Sequence, residues 1–229
     1  MTDTRTALIT GGTGALGAAT VSAFLQAGWQ VVAPVRPGTA GRLPAGVIAV
    51  DADLTNAEQV TAAAARAAGD QRAPLKAVVN LAGGYGGSGL IADTPVEDFE
   101  AMFAANLRPA YLTTSAALPY LVAAGGGSVI FVSSRAAVSP FPGAAGYVAS
   151  KAAVLALAET VAVEYRKQRV RSNTVLPSVI DTPANRAAQP TADVSRWVAP
   201  AEIAAVILFL ASDASAPTSG ARIPVYGQA

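Results

Sequence analysis

Short apolar, β-branched runs alternate along this chain with longer alanine-rich segments whose apolar positions recur at helical spacing. The alternation predicts strands at Ala7–Thr10, Gln30–Val35, Val47–Val50, Ala77–Asn80, Ser128–Ser133, Arg169–Val175 and Ala221–Val225. It predicts helices over Ala15–Ala27, Asn56–Ala68, Val96–Ala123, Ala145–Lys167 and Pro200–Ala211. Strand, helix, strand repeated in this way implies right-handed crossovers and a parallel sheet. The expected class is α/β: a doubly wound sheet of about seven strands, ordered 3-2-1-4-5-6-7, with helices on both faces. Two irregular stretches, Gly83–Gly89 and Thr182–Arg196, follow strand carboxyl ends, where open α/β sheets bind ligands. The second holds Pro183 and Pro190 and reads as a substrate flap around 183–196.

A length of 229 residues suits one domain spanning 1–229. The hydrophobic share of 52% comes mostly from Ala and Val, as helices on both faces of a buried sheet require. Histidine and cysteine are both absent, which excludes Ser-His-Asp hydrolysis, thiol nucleophiles, disulfides and His/Cys metal sites. No metal site is expected, and any general acid or base must be Asp, Glu, Lys or Tyr. Sixteen basic against 15 acidic side chains, without basic runs, argue against a nucleic-acid partner. The polar start Met1–Thr6 runs straight into a strand with no signal-peptide core. The longest strongly apolar stretch, Ile203–Ala211, falls short of the ~20 residues a bilayer helix needs. A soluble, cytoplasmic protein with no membrane partner is expected.

The first strand ends in Thr10–Gly17, TGGTGALG, and a helix follows at once. Glycines at 11, 14 and 17 allow a tight turn, close approach to a pyrophosphate, and close helix–strand packing, with the helix N-terminus aimed at the phosphates. The context points to a Rossmann-type dinucleotide site. Where an acidic residue would bind the adenosine ribose, the second strand ends in Val35 followed by Arg36, so NADP is favoured, with NAD the alternative. A solvated loop cation is the plainer account of Arg36. Asp53 is a candidate for adenine, or equally for capping the helix that starts near Asn56.

Tyr147 and Lys151 stand four residues apart in a helical pattern, hence on one face. Only three lysines occur, and this one lies in the alanine-rich stretch Ala149–Ala156, where a charge asks for a partner. Free tyrosine, with a pKa of about 10, is a poor base at neutral pH. A nearby cation favours the phenolate and brings the group toward the operating pH. Alone, the spacing is also what a chance pair on an amphipathic helix would give.

The glycine turn and the Tyr–Lys pair together make the whole chain resemble the short-chain dehydrogenases/reductases, with matches from Thr10 to Gly220. Their serine, 13 residues before the tyrosine, corresponds to Ser134 rather than Ser133, and their Asn-Ala-Gly motif to Asn80–Gly84. The mid-helix asparagine corresponds to Asn106, and the pattern after strand six to Pro177–Thr182. The resemblance implies hydride transfer between a nicotinamide cofactor and a carbonyl or alcohol substrate. Tyr147 would be the general acid/base and Ser134 would bond the substrate oxygen. Lys151 would hold the nicotinamide ribose and lower the Tyr147 pKa, and Asn106 would hold a relay water. The implied cofactor site is Gly11, Thr13, Gly14, Leu16, Gly17, Arg36, Asp53, Leu54, Asn80, Ala82, Gly83, Tyr147, Lys151, Pro177, Ile180 and Thr182. The family further implies a homotetramer or homodimer packed through the helices around Ala101–Leu121 and Ala152–Tyr165.

Several positions depart from the compact members. Ala15 replaces a glycine of the turn, Ser178 replaces the usual glycine, and Val225-Tyr226-Gly227 stands where Val-Asp-Gly-Gly is common. Segments 82–87 and 175–186 resemble the dihydropteridine reductase branch, a C=N reductase alternative. That branch generally lacks the serine present as Ser134, and it carries an acid where this chain has Val35. A non-catalytic NAD(P)-binding sensor on the same fold is the other alternative. Tyr85, Phe141 and Trp197 are expected around a partly apolar substrate pocket.

Overall fold

The computed structural model describes residues 4–87 and 89–228. Seven strands, Thr6–Thr10 (β1), Gln30–Val35 (β2), Ile48–Asp51 (β3), Leu75–Asn80 (β4), Gly127–Val132 (β5), Val170–Pro177 (β6) and Arg222–Val225 (β7), form one sheet. Their order is β3-β2-β1-β4-β5-β6-β7, and every pairing is parallel, as expected. The helices are Ala15–Gln26 (α1), Ala57–Ala67 (α2), Val96–Ala123 (α3), Ala145–Glu164 (α4), Pro183–Ala188 (α5) and Pro200–Ala211 (α6).

Neighbouring strand residues part to opposite faces, and both faces are buried. Leu8, Val32, Val78, Val129 and Phe131 join the core with side chains of α2, α3 and α4. Ala7, Ile9, Val31, Val79 and Ile130 join the core with α1 and α6. Period-2 geometry with apolar residues at both phases is what a sheet sandwiched between helices demands. The chain winds away from β1 in both directions, so the carboxyl ends of β1 and β4 flank the crevice where the order reverses.

The structure shifts some boundaries. The fourth helix ends at Glu164 rather than Lys167, because a turn at Arg166–Gln168 and a left-handed Arg169 (φ 60°) redirect the chain into β6. Arg169 therefore precedes the strand. The 183–196 segment is not irregular throughout: Thr182 caps α5, and Pro183 fills its first turn. By length and a mean hydropathy of 1.4, α4 could cross a bilayer, although Lys151 and Glu159 interrupt its apolar runs. It instead packs against α3 and β6, with Val154, Ala158 and Val161 in the core.

Candidate active site

One cleft of about 1700 Å³ runs across the carboxyl ends of the strands. At its centre is the turn between β1 and α1. Gly11 adopts φ +71°, and a Cβ there would stand 2.9 Å from the Ala82 amide nitrogen. Gly17 is tighter, since a Cβ would overlap the Gly11 carbonyl oxygen. Gly14 caps α1 with extended geometry, but no side chain accepts from the first-turn N–H groups and that turn holds no acid. These donors and the positive end of the helix thus face the cleft without protein partners, which suits a phosphate. Thr10 couples the two central strands: its hydroxyl accepts from the Leu81 and Ala82 amides at 3.1 and 3.2 Å.

At the end of the cleft beside β2 and β3, Val35, Arg36, Asp53 and Leu54 line the wall, joined by Thr39 and Arg42, which the sequence did not single out. The Thr39 hydroxyl donates to the Arg36 carbonyl at 2.7 Å, closing the loop that carries both arginines. Asp53 does not cap α2; Asn56 does, accepting from the Gln59 amide at 3.1 Å. The Asp53 carboxylate accepts from the Thr55 amide and hydroxyl, both at 2.8 Å, and these bonds hold its pKa below the ordinary value.

The other end brings together Ser134, Tyr147 and Lys151. Ser134 follows β5, with its hydroxyl accepting from the Ala136 amide at 3.1 Å. Ser133 points into the protein and donates to the Lys151 carbonyl at 2.8 Å, anchoring α4. Lys151 is 8% exposed and donates from Nζ to the Val132 carbonyl at 3.2 Å. The Tyr147 ring lies edge-on to Tyr85 at 5.1 Å, and Phe141 flanks Tyr85 at 6.4 Å.

Two sequence candidates stand behind the cleft wall. Asn80 is buried, its amide nitrogen donating to the Thr114 hydroxyl at 3.0 Å. Asn106 is also buried; Oδ1 accepts from the Gly84 amide at 2.9 Å and Nδ2 donates to the Ser150 hydroxyl at 3.1 Å. Ser150 in turn donates to the Tyr147 carbonyl at 2.8 Å, a link no sequence motif disclosed. Gly83 runs so close beneath that a Cβ would stand 2.5 Å from Asn106 Oδ1 and 3.3 Å from Lys151 Nζ. Asn106 thereby ties the loop after β4 to the Tyr147 backbone through Ser150. Thr13, Leu16, Ala82, Pro177, Ile180 and Thr182 all border the cleft. The Thr182 hydroxyl accepts from the Asn185 amide at 3.1 Å, so it also caps α5. Trp197, expected in the substrate pocket, is not in the cleft wall.

The electrostatics differ from the expectation that Lys151 lowers the Tyr147 pKa. Burial is the dominant influence on Tyr147 and pushes it above 10.0, with the neighbouring Ser134 hydroxyl opposing and Tyr85 adding to the rise. Burial brings Lys151 down from 10.5 to about 8. The unfolded chain therefore binds more protons at Lys151 between about pH 8 and 10.5, and stability gains from this residue as pH rises through that window. Tyr147 works in the opposite sense above pH 10, where the unfolded phenol ionises first. Thermal melts of the protein and Lys151→Met should diverge accordingly. The wild-type midpoint should gain on the variant from pH 8 to 10, and a constant difference would contradict the assignment.

Comparison with known proteins follows the same lines. A family model described as short chain dehydrogenase matches residues 5–193. The 2-(R)-hydroxypropyl-CoM dehydrogenase of Xanthobacter autotrophicus is 33% identical over 193 residues, covering 79% of this chain and 77% of the relative. The 3-oxoacyl-(acyl-carrier-protein) reductase FabG of Thermotoga maritima is 30% identical, covering 97% and 96%. A short-chain type dehydrogenase/reductase structure from Mycobacterium ulcerans superposes with a TM-score of 0.91 at 27% identity, over 98% of this chain and 89% of that one.

Proposed function

The chain belongs to the short-chain dehydrogenase family, and from that membership we propose an NADPH-preferring carbonyl reductase with Tyr147 as proton donor. Nicotinamide-dependent oxidoreduction is common ground with its relatives. The cofactor preference and the residue roles are our reading. The carrying observation is that Ser134, Tyr147 and Lys151 meet at one end of a cleft whose middle is a glycine cradle under an uncapped helix N-terminus.

The residues fit a dinucleotide. The cradle is wound so tightly that a Cβ at 11 or 17 would strike neighbouring backbone, and the uncapped N–H groups beside it supply donors for phosphates. Arg36 and Arg42 at the adenosine end, with no carboxylate at Val35, suit a 2′-phosphate. The nicotinamide supplies the hydride when bound. Tyr147 would give its proton to the substrate oxygen while the Ser134 hydroxyl bonds the same oxygen. Burial keeps the phenol protonated at neutral pH, the form that reduction requires. Lys151 would hold the nicotinamide ribose and return the proton to Tyr147, since a group near pKa 8 carries and yields a proton readily. Asn106 would act as a positioning residue through Ser150 and Gly84. Exposed Tyr111 on α3 and Val163 on α4 support a homo-oligomer, dimer or tetramer, built on those helices.

Titration with NADPH and separately with NADH, followed by nicotinamide fluorescence, tests this reading. NADPH should bind the more tightly. A preference for NADH would overturn the arginine argument, and failure of both to bind would end the proposal. Arg36→Ala should weaken NADPH by about tenfold or more, the worth of one charge-assisted hydrogen bond, and leave NADH within about twofold.

A further inference from the structure

We propose that Arg135 recognises an anionic group on the substrate, so that the compounds reduced are small carbonyl acids. The proposal rests on the oxidoreductase reading and adds a substrate class to it. Arg135 directly follows Ser134, about 3.8 Å away between α-carbons, and borders the same cleft. Its guanidinium lies 5.1 Å over the ring of Tyr226. The backbone that carries this ring is anchored: the Ser178 hydroxyl donates to the Tyr226 main-chain carbonyl at 2.7 Å. Ser178 and Tyr226 are two of the positions at which this chain departs from the common pattern, and together they build a seat for Arg135.

The seat is unusual in what it leaves free. Stacking engages the face of the guanidinium, while its five N–H donors radiate from the edge. Among the described residues, Arg135 makes no ion pair and its side chain no hydrogen bond. The four ion pairs are Arg5–Asp213, Arg72–Asp70, Arg186–Asp181 and Arg222–Glu159. Nor does the cleft offer it an acid. The single carboxylate on the wall is Asp53, at the adenosine end and engaged by Thr55. The catalytic end therefore carries two cations, Lys151 and Arg135. Lys151 is buried, bonds the Val132 carbonyl and in this reading serves the cofactor and Tyr147, which leaves Arg135 to meet the substrate anion. A planar, half-buried, pre-oriented fork with free edge donors matches a carboxylate or another compact oxyanion bidentately. Both Ser134 and Arg135 line this cleft, so one small substrate can offer its carbonyl to the first and its anion to the second.

The test compares kcat/KM, with NADPH, for 3-oxobutanoate, 4-oxopentanoate and 5-oxohexanoate against their methyl esters. The wild type should favour at least one acid over its ester by tenfold or more. Arg135→Met should erase that preference through KM, Arg135→Lys should restore part of it, and Tyr226→Leu should raise KM for the acid severalfold with the charge still present. Equal use of acids and esters overturns the proposal, as does a preference that survives Arg135→Met or reduction of none of the six while NADPH binds. Loss of NADPH binding in Arg135→Met would assign the residue to the cofactor and equally overturn it. A wild type that binds no NADPH would instead defeat the oxidoreductase reading beneath it.

Discussion

Tyr147→Phe should lower carbonyl reduction by about a thousandfold, within the range that loss of a positioned general acid commonly costs, and leave NADPH affinity within about twofold. The separation follows from what the substitution removes. The ring of residue 147 packs edge-on against Tyr85 and sits on α4, whose start is held by the Asn106–Ser150 link to its backbone carbonyl. Phenylalanine keeps the ring and these backbone bonds. Only the hydroxyl disappears, and Ser134, whose ordinary proton is far less acidic, cannot replace it as donor. The glycine cradle and the arginines lie elsewhere along the cleft and are untouched. Steady-state reduction and fluorescence titration on one preparation measure both quantities. Retained turnover would remove Tyr147 from the chemistry. Joint loss of turnover and binding would show that the phenol serves the cofactor rather than the substrate.

Much of this architecture was legible in the sequence because its signals are local. The apolar period changes cleanly between strand and helix, and the ends of α3 and α6 coincide with their sequence pattern. Neither Pro109 nor Pro119 breaks α3, as tertiary packing of Pro109, Ala110, Ala117 and Leu121 outweighs their missing donors. Nothing in the sequence stops the fourth helix at Glu164, since Tyr165-Arg166-Lys167-Gln168 holds no Gly or Pro, and the turn that ends it depends on one left-handed residue, Arg169. In the site, spacing prefers Ser134 over Ser133; both border the cleft, but the Ser133 hydroxyl is buried and spent on the Lys151 carbonyl while Ser134 is half-buried. What spacing could not convey is who satisfies whom. Asn106 meets Ser150 and Gly84 only after α3, α4 and the loop after β4 converge. The direction of the Tyr147 shift lies beyond the sequence for a related reason. Residue identities supply the cation, but burial, a property of the folded chain, determines the larger contribution and its sign.

Gly17→Ala is expected to cost both stability and cofactor, whereas Gly14→Ala should spare the fold, although a motif reading weights the two glycines alike. A Cβ at Gly17 would overlap the Gly11 carbonyl oxygen and stand 2.8 Å from both the Gly11 carbonyl carbon and the Gly12 α-carbon. All three are backbone atoms, so no rotamer change can relieve the clash. The turn must open or α1 must shift, at about the 1–3 kcal/mol typical of overpacking, lowering the melting midpoint on the order of 5 °C. Either movement turns the first N–H groups of α1 away from the phosphate position, and NADPH affinity should fall by about a hundredfold or more. At Gly14 a Cβ would meet only the Gly11 oxygen, at 3.5 Å, and its φ of −80° is open to any residue. Gly14→Ala should therefore melt within about 2 °C of wild type. Any weakening of NADPH in that variant then reports crowding at the phosphate itself, separated from damage to the helix. Differential scanning calorimetry beside NADPH titration of both variants resolves the two effects. Equal melting losses would show that the β1–α1 turn constrains the chain at both glycines, contrary to the unequal space around them.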